Sequence, residues 1–162
     1  MSQQHGAETS TDNGGQNVDE QQTRRATPGE WYAVAVGDVS LVVPAAARDR
    51  VAGLWELAVS GAGFETLLDA LLADGLGAQP SFVLVEHGDR TRALVRGSAR
   101  VELRTASEEV VLTADEGLVW AERRVDAVVG GRVVLEETDQ PAVPALGELV
   151  RVSVLEFGAP VV

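Results

Sequence analysis

Residues 81–125 alternate apolar and polar side chains almost without interruption, as SFVLVEHGDRTRALVRGSARVELRTASEEVVLTADEGLVWAERRV. A period of two sends successive side chains to opposite faces of a strand. The stretch therefore specifies an antiparallel sheet with one buried and one wetted face. Ala99, Val101 and Leu103 alternate with Arg100, Glu102 and Arg104. Phe82, Val83, Leu84 and Val85 are apolar on both parities, so their strand is expected to be covered on both faces. Gly88-Asp89 is expected to turn it into the next strand, and Val110 and Leu112 continue a meander. Gly130-Gly131, between the runs 118–125 and 132–136, reads as a hairpin turn. DQPAVPALGE holds two prolines and reads as a loop, and 149–155 as the last strand.

Upstream, WYAVAVGDVSLVV predicts two strands joined at Gly37-Asp38, the second stopped by Pro44. A helical period follows. Val51, Leu54, Trp55 and Ala58 form one apolar stripe, and Phe64, Leu67, Leu68, Leu71 and Leu72 a second. Gly61 and Gly63 separate the two, and Gly75 suits a left-handed cap. Both stripes are expected to lie on the same sheet. The predicted class is α+β: a ββαα start, then an antiparallel meander curling into a barrel or sandwich, with about eight strands and two helices. Residues 1–28 hold too few apolar side chains to offset their ordering entropy. They are expected to be a disordered polar tail ahead of a single domain, 29–162.

Composition narrows the function. The net charge is −12, and the basic footprint that nucleic acid or an anionic membrane requires is not visible. The chain has no cysteine, which excludes disulfides, Cys-ligated zinc and thiol nucleophiles. No apolar run approaches the roughly 18 residues of a spanning helix. The N-terminus lacks the apolar core of a secretory signal. The expected location is the cytoplasm. All 13 basic residues are Arg, and neither Lys nor Ile occurs, a bias of GC-rich coding sequence.

No catalytic set is evident. His5 and His87 are the two histidines, and His87 adjoins the Gly88-Asp89 turn, where a solvated imidazole is expected. Glu65 and Asp69 share a helix face but lie opposite the Leu stripe, where both carboxylates are hydrated. Glu136, Glu137 and Asp139 lack the spacing of a calcium loop, as does Asp115-Glu116-Gly117. No enzyme activity, cofactor or metal is expected. The even-numbered arginines, among them Arg92, Arg96 and Arg100, are expected on one exposed sheet face, with Glu102 available for cross-strand pairing. They and the aromatics Trp31 and Trp120 are the candidate interaction residues. In the tail, Thr9 and Thr27 are candidate phosphoacceptors. Each has an acidic residue three positions on, and two arginines precede Thr27.

WYAVAVGDVSLVVP followed by a Trp-bearing and a Leu-rich helix, then PSFVLVEHGD, ALVRGSARVEL and EGLVWAERRV, resembles the N-terminal domain of certain actinobacterial forkhead-associated-domain proteins. The likeness spans residues 31–137. It implies an accessory, non-enzymatic domain in a signalling or assembly context. The family's phosphothreonine-binding module has no counterpart in these residues. Gly131-Arg132 imitates the start of its signature, but no Ser-x-x-His follows. The expected function is a protein-interaction or scaffold domain, with a small-ligand-binding barrel as the alternative. The expected partner is another protein. A second copy is an option, paired through any unpaired strand such as 149–155.

Overall fold

The computed structural model describes residues 24–78, 81–114, 119–145 and 147–158. The strands are β1 (Arg25–Val36), β2 (Val39–Val43), β3 (Phe82–Glu86), β4 (Arg90–Arg96), β5 (Arg100–Arg104), β6 (Glu109–Thr113), β7 (Ala121–Asp126), β8 (Gly130–Val134), β9 (Val143–Pro144) and β10 (Leu149–Gly158). The helices are α1 (Arg48–Val59) and α2 (Phe64–Leu71). The ββαα start and the curled antiparallel sheet match the sequence reading.

Val36 pairs with Val39 across a two-residue turn in which Gly37 takes φ +58°, a value glycine reaches without strain. From this hairpin the sheet grows in the order β6-β5-β8-β10-β1-β2-β3-β4-β7, every pair antiparallel, with β9 added to the start of β1. β6 and β7, the two ends of that path, approach each other. The 10-stranded sheet thus curls into a nearly closed barrel. No backbone ladder joins β6 to β7 among the described residues, which leaves a seam.

Two cores follow from the pleat. Ala33, Val42, Val83, Val85, Ala93, Val95, Val101, Leu103 and Val133 fill the barrel, each fully buried. Residues of the opposite parity, Leu41, Val43, Phe82, Leu84 and Leu94, pack against Val51, Leu54, Phe64, Leu67 and Leu71 of the helices. β2 and β3 are therefore covered on both faces, as the unbroken apolar run in 82–85 demands. Burying each Leu or Phe contributes roughly 1.5–3 kcal/mol. Gly61 ends α1 at φ +96°. The Ala62 amide donates to the Leu57 carbonyl and the Gly61 amide to Ala58, the two bonds of a Schellman close. Gly75 likewise has φ +94° after α2.

Four expectations are corrected. The ordered chain starts before residue 29, because β1 begins at Arg25 and Ala26 and Thr27 are buried in its ladder. Pro28 is tolerated there because the register slips between Thr27 and Trp31, and Ser153 Oγ donates to the Pro28 carbonyl across that bulge. Gly130-Gly131 is no turn. It lies within β8, and the reversal falls on the preceding residues, with Ala127 at φ +58°. A Cβ on Gly131 would meet the Glu102 carbonyl oxygen at 2.4 Å and the Phe157 ring at 2.9 Å, so this glycine serves close strand packing. The strands do not run as a simple meander. β7 returns to pair with β4, and β8 inserts between β5 and β10. Finally, 149–155 is not an unpaired strand: β10 pairs with β1 along Leu149–Glu156 and with β8 from Val154 to Gly158.

Candidate interaction surface

Strand parity puts every even-numbered arginine of β4 and β5 outside the barrel. The ladder order then divides them, since β4 lies between β3 and β7 while β5 lies between β6 and β8. On the β5–β8 face, Glu102 accepts from Arg132 at 2.7 Å and from Arg100 at 2.6 Å, and Arg100 also reaches Glu137 at 3.1 Å. Partial burial works against the Glu102 carboxylate, but its bonds to Arg132 and Arg100 outweigh that and hold its pKa below the usual range. Arg100 is thus part of a closed cross-strand network.

The β4–β7 face differs. Arg92 lies over the Phe64 ring, 3.9 Å from its centroid, and donates to Glu65 at 2.6 Å and Glu122 at 2.5 Å. Arg90 pairs with Asp126 at 2.7 Å. Arg96 donates to the carbonyls of Val119 and Leu76. The exposed doublet Arg123-Arg124 is different again. Neither guanidinium forms an ion pair with a described carboxylate. Arg124 stands opposite Arg92 in the ladder, and Arg123 opposite Ala93. Arg92, Glu122, Arg123 and Arg124 line one shallow, open hollow. Three arginines and one glutamate thus line it, on a chain whose net charge is −12. The doublet is visible in the sequence as a break in the alternation of AERRVD.

Trp31 packs half-buried on the barrel core, and Trp120 half-buried on the helix-side core. Both serve the fold first. Thr27 is 3% exposed and paired with Val154, so phosphorylation there would require β1 to peel away. Thr9 lies outside the described residues, as does Asp115-Glu116-Gly117.

The turns 37–38, 87–89 and 127–129 gather a second set of polar groups. The His87 amide donates to Asp38, and the Ala127 amide to Asp89. Arg24, ahead of β1, bridges to the far end of the same strand through the Ala35 carbonyl at 3.2 Å and the Gly37 carbonyl. Desolvation lowers its pKa, opposed by Asp38 and Glu148. The His87 ring meets Phe157 edge-on at 4.2 Å. Burial, reinforced by Arg24 and opposed by Asp38, lowers its pKa to about 4. His87 is therefore a partly buried, neutral imidazole, not the solvated one its turn position suggests. Its Nε2 and the Oγ of Ser40, a residue 1% exposed, are buried without a hydrogen-bond partner among the described residues. Ser40 is the one polar residue of VSLVV and takes an inward position.

Among the described residues, no three His, Asp or Glu side chains converge as a metal site. No helix among them is long and apolar enough to cross a membrane. No protein-family model, curated protein or solved structure matches this chain.

Proposed function

We propose that this chain is a non-catalytic protein-interaction or scaffold domain that works from the outside of its barrel, at the β4–β7 face. One observation carries the reading: Arg123 and Arg124 stand exposed and without an ion-pair partner among the described residues on a terminal strand of the sheet, while the other sheet arginines discussed above are engaged within the molecule. Of the two readings raised by the sequence, the side-chain-filled barrel favours surface recognition over an enclosed small ligand. The signalling or assembly context implied by the forkhead-associated resemblance belongs to the same proposal and rests on sequence pattern.

The test is photo-cross-linking in the native cell, with a photoreactive residue at position 124 and, separately, at the exposed position 136. Discrete protein adducts are expected at 124 and not at 136. Equal labelling, or none at 124, would sink the reading.

A further inference from the structure

Resting on that reading, we infer that the β4–β7 hollow receives an acidic, extended segment of a partner protein, with carboxylates held by Arg123 and Arg124.

The argument is one of charge and placement. Arg92 is already committed to Glu65 and Glu122 and packed on Phe64. The charge left over in the hollow is that of Arg123 and Arg124. Guanidinium groups bind carboxylates through paired, parallel hydrogen bonds. The doublet lies on a strand, so its two side chains leave opposite faces of β7. Arg124 shares the outer parity of Glu122, while Arg123 shares that of Ala121 and Val125, which pack on the barrel core. Both residues line the hollow, and β7, the last strand of the ladder, is hydrogen-bonded to β4 alone among the described residues. An occupant that meets both must run along β7. An extended peptide does so, with acidic side chains on adjacent residues, one toward each face.

A second copy of this chain fits less well. Antiparallel pairing of two β7 strands would set one Arg doublet against the other, and facing like charges destabilise a ladder. Nucleic acid is a poor occupant because two free arginines are a small footprint for a polyanion on a chain with a net charge of −12.

The test uses the full chain and a fluorescent peptide repeating Glu-Glu-Thr, read by anisotropy beside Gln-for-Glu and phosphothreonine versions. The Glu peptide is expected to bind and the Gln peptide not to. Binding should fall at least about tenfold in R123E/R124E and in the milder R123Q/R124Q, whose melting curves control for folding. It should also fade as salt rises from about 50 to about 500 mM. Equal binding of the Gln peptide, binding of the phosphopeptide alone, or undiminished binding by a folded R123Q/R124Q would overturn the inference. So would light scattering that shows a wild-type dimer lost in R123Q/R124Q, because the occupant would then be a second copy. Cross-links at position 124 to a partner whose contact segment lacks acidic residues would overturn the carboxylate inference and leave the interaction reading intact. Failure of both experiments would end both.

Discussion

His87 shows how much a single register position decides. It lies two residues beyond Val85, and that spacing turns its imidazole into the barrel, beside Phe157 and Arg24. Its folded pKa of about 4 stands below the ordinary 6.5. Between those values the unfolded chain binds a proton that the folded chain refuses. Stability is therefore complete above about pH 6.5 and falls as pH drops toward 4. A shift of that size corresponds to roughly 3 kcal/mol across the window. Urea unfolding at stepped pH should show this slope, and His87→Gln should flatten it. An unchanged slope would assign the acid loss to other groups. Gly131 is the second decisive residue. Its position within 2.4 Å of the Glu102 carbonyl, measured from an added Cβ, leaves no space for a methyl group. Gly131→Ala should destabilise the fold by about 2 kcal/mol or more, read from the shift in denaturation midpoint. A neutral outcome would mean that β5 and β8 can separate freely.

At the scale of elements, the helical hairpin is joined by more than its apolar stripes. Arg50 on α1 donates to the carbonyls of Leu71, at 2.9 Å, and Ala70, which end α2. Both carbonyls lie in the last turn, where helical partners run out, although Ala70 also accepts from the Ala73 amide at 3.4 Å, and a cation at a helix C-terminus suits its dipole. α2 has only 8 residues, too few to be stable alone. Arg50→Gln should therefore cost about 1–2 kcal/mol and lower the helical signal in circular dichroism before the sheet unfolds. Loss of both in one transition, at unchanged midpoint, would show that packing alone holds α2. The stripes behind this contact are plain in the sequence. The contact is not, because Arg50 reads as a wet-face residue until the return of α2 brings the carbonyls alongside.

For the whole molecule, the ladder order sets where the barrel yields. β1, β2, β3, β8 and β10 are paired on both sides, whereas β6 and β7 each have one partner among the described residues and face the seam. Hydrogen exchange should be slowest in β1 and β10 and fastest in β6 and β7, with opening starting at the seam. Protection of β7 equal to that of β10 would mean that the seam is closed in solution. Local period was enough to place two helical stripes and a run of half-buried strands, because 3.6 and 2 are backbone geometry and leave their mark on every few residues. The cross-strand role of Glu102 was legible too, from its place among the arginines. Strand partners were not. Return of β7 to β4, insertion of β8 beside β10 and burial of Thr27 all depend on contacts between residues far apart in the chain, and neighbouring residues carry no record of them. The same holds for the glycine pair at 130–131. Its composition is that of a turn, and only the approach of Phe157 shows that it makes room between strands. Alternation thus settled which faces are wet and which are dry. Closure of the barrel decided which arginines neutralise one another and which two, at the last strand, are left exposed.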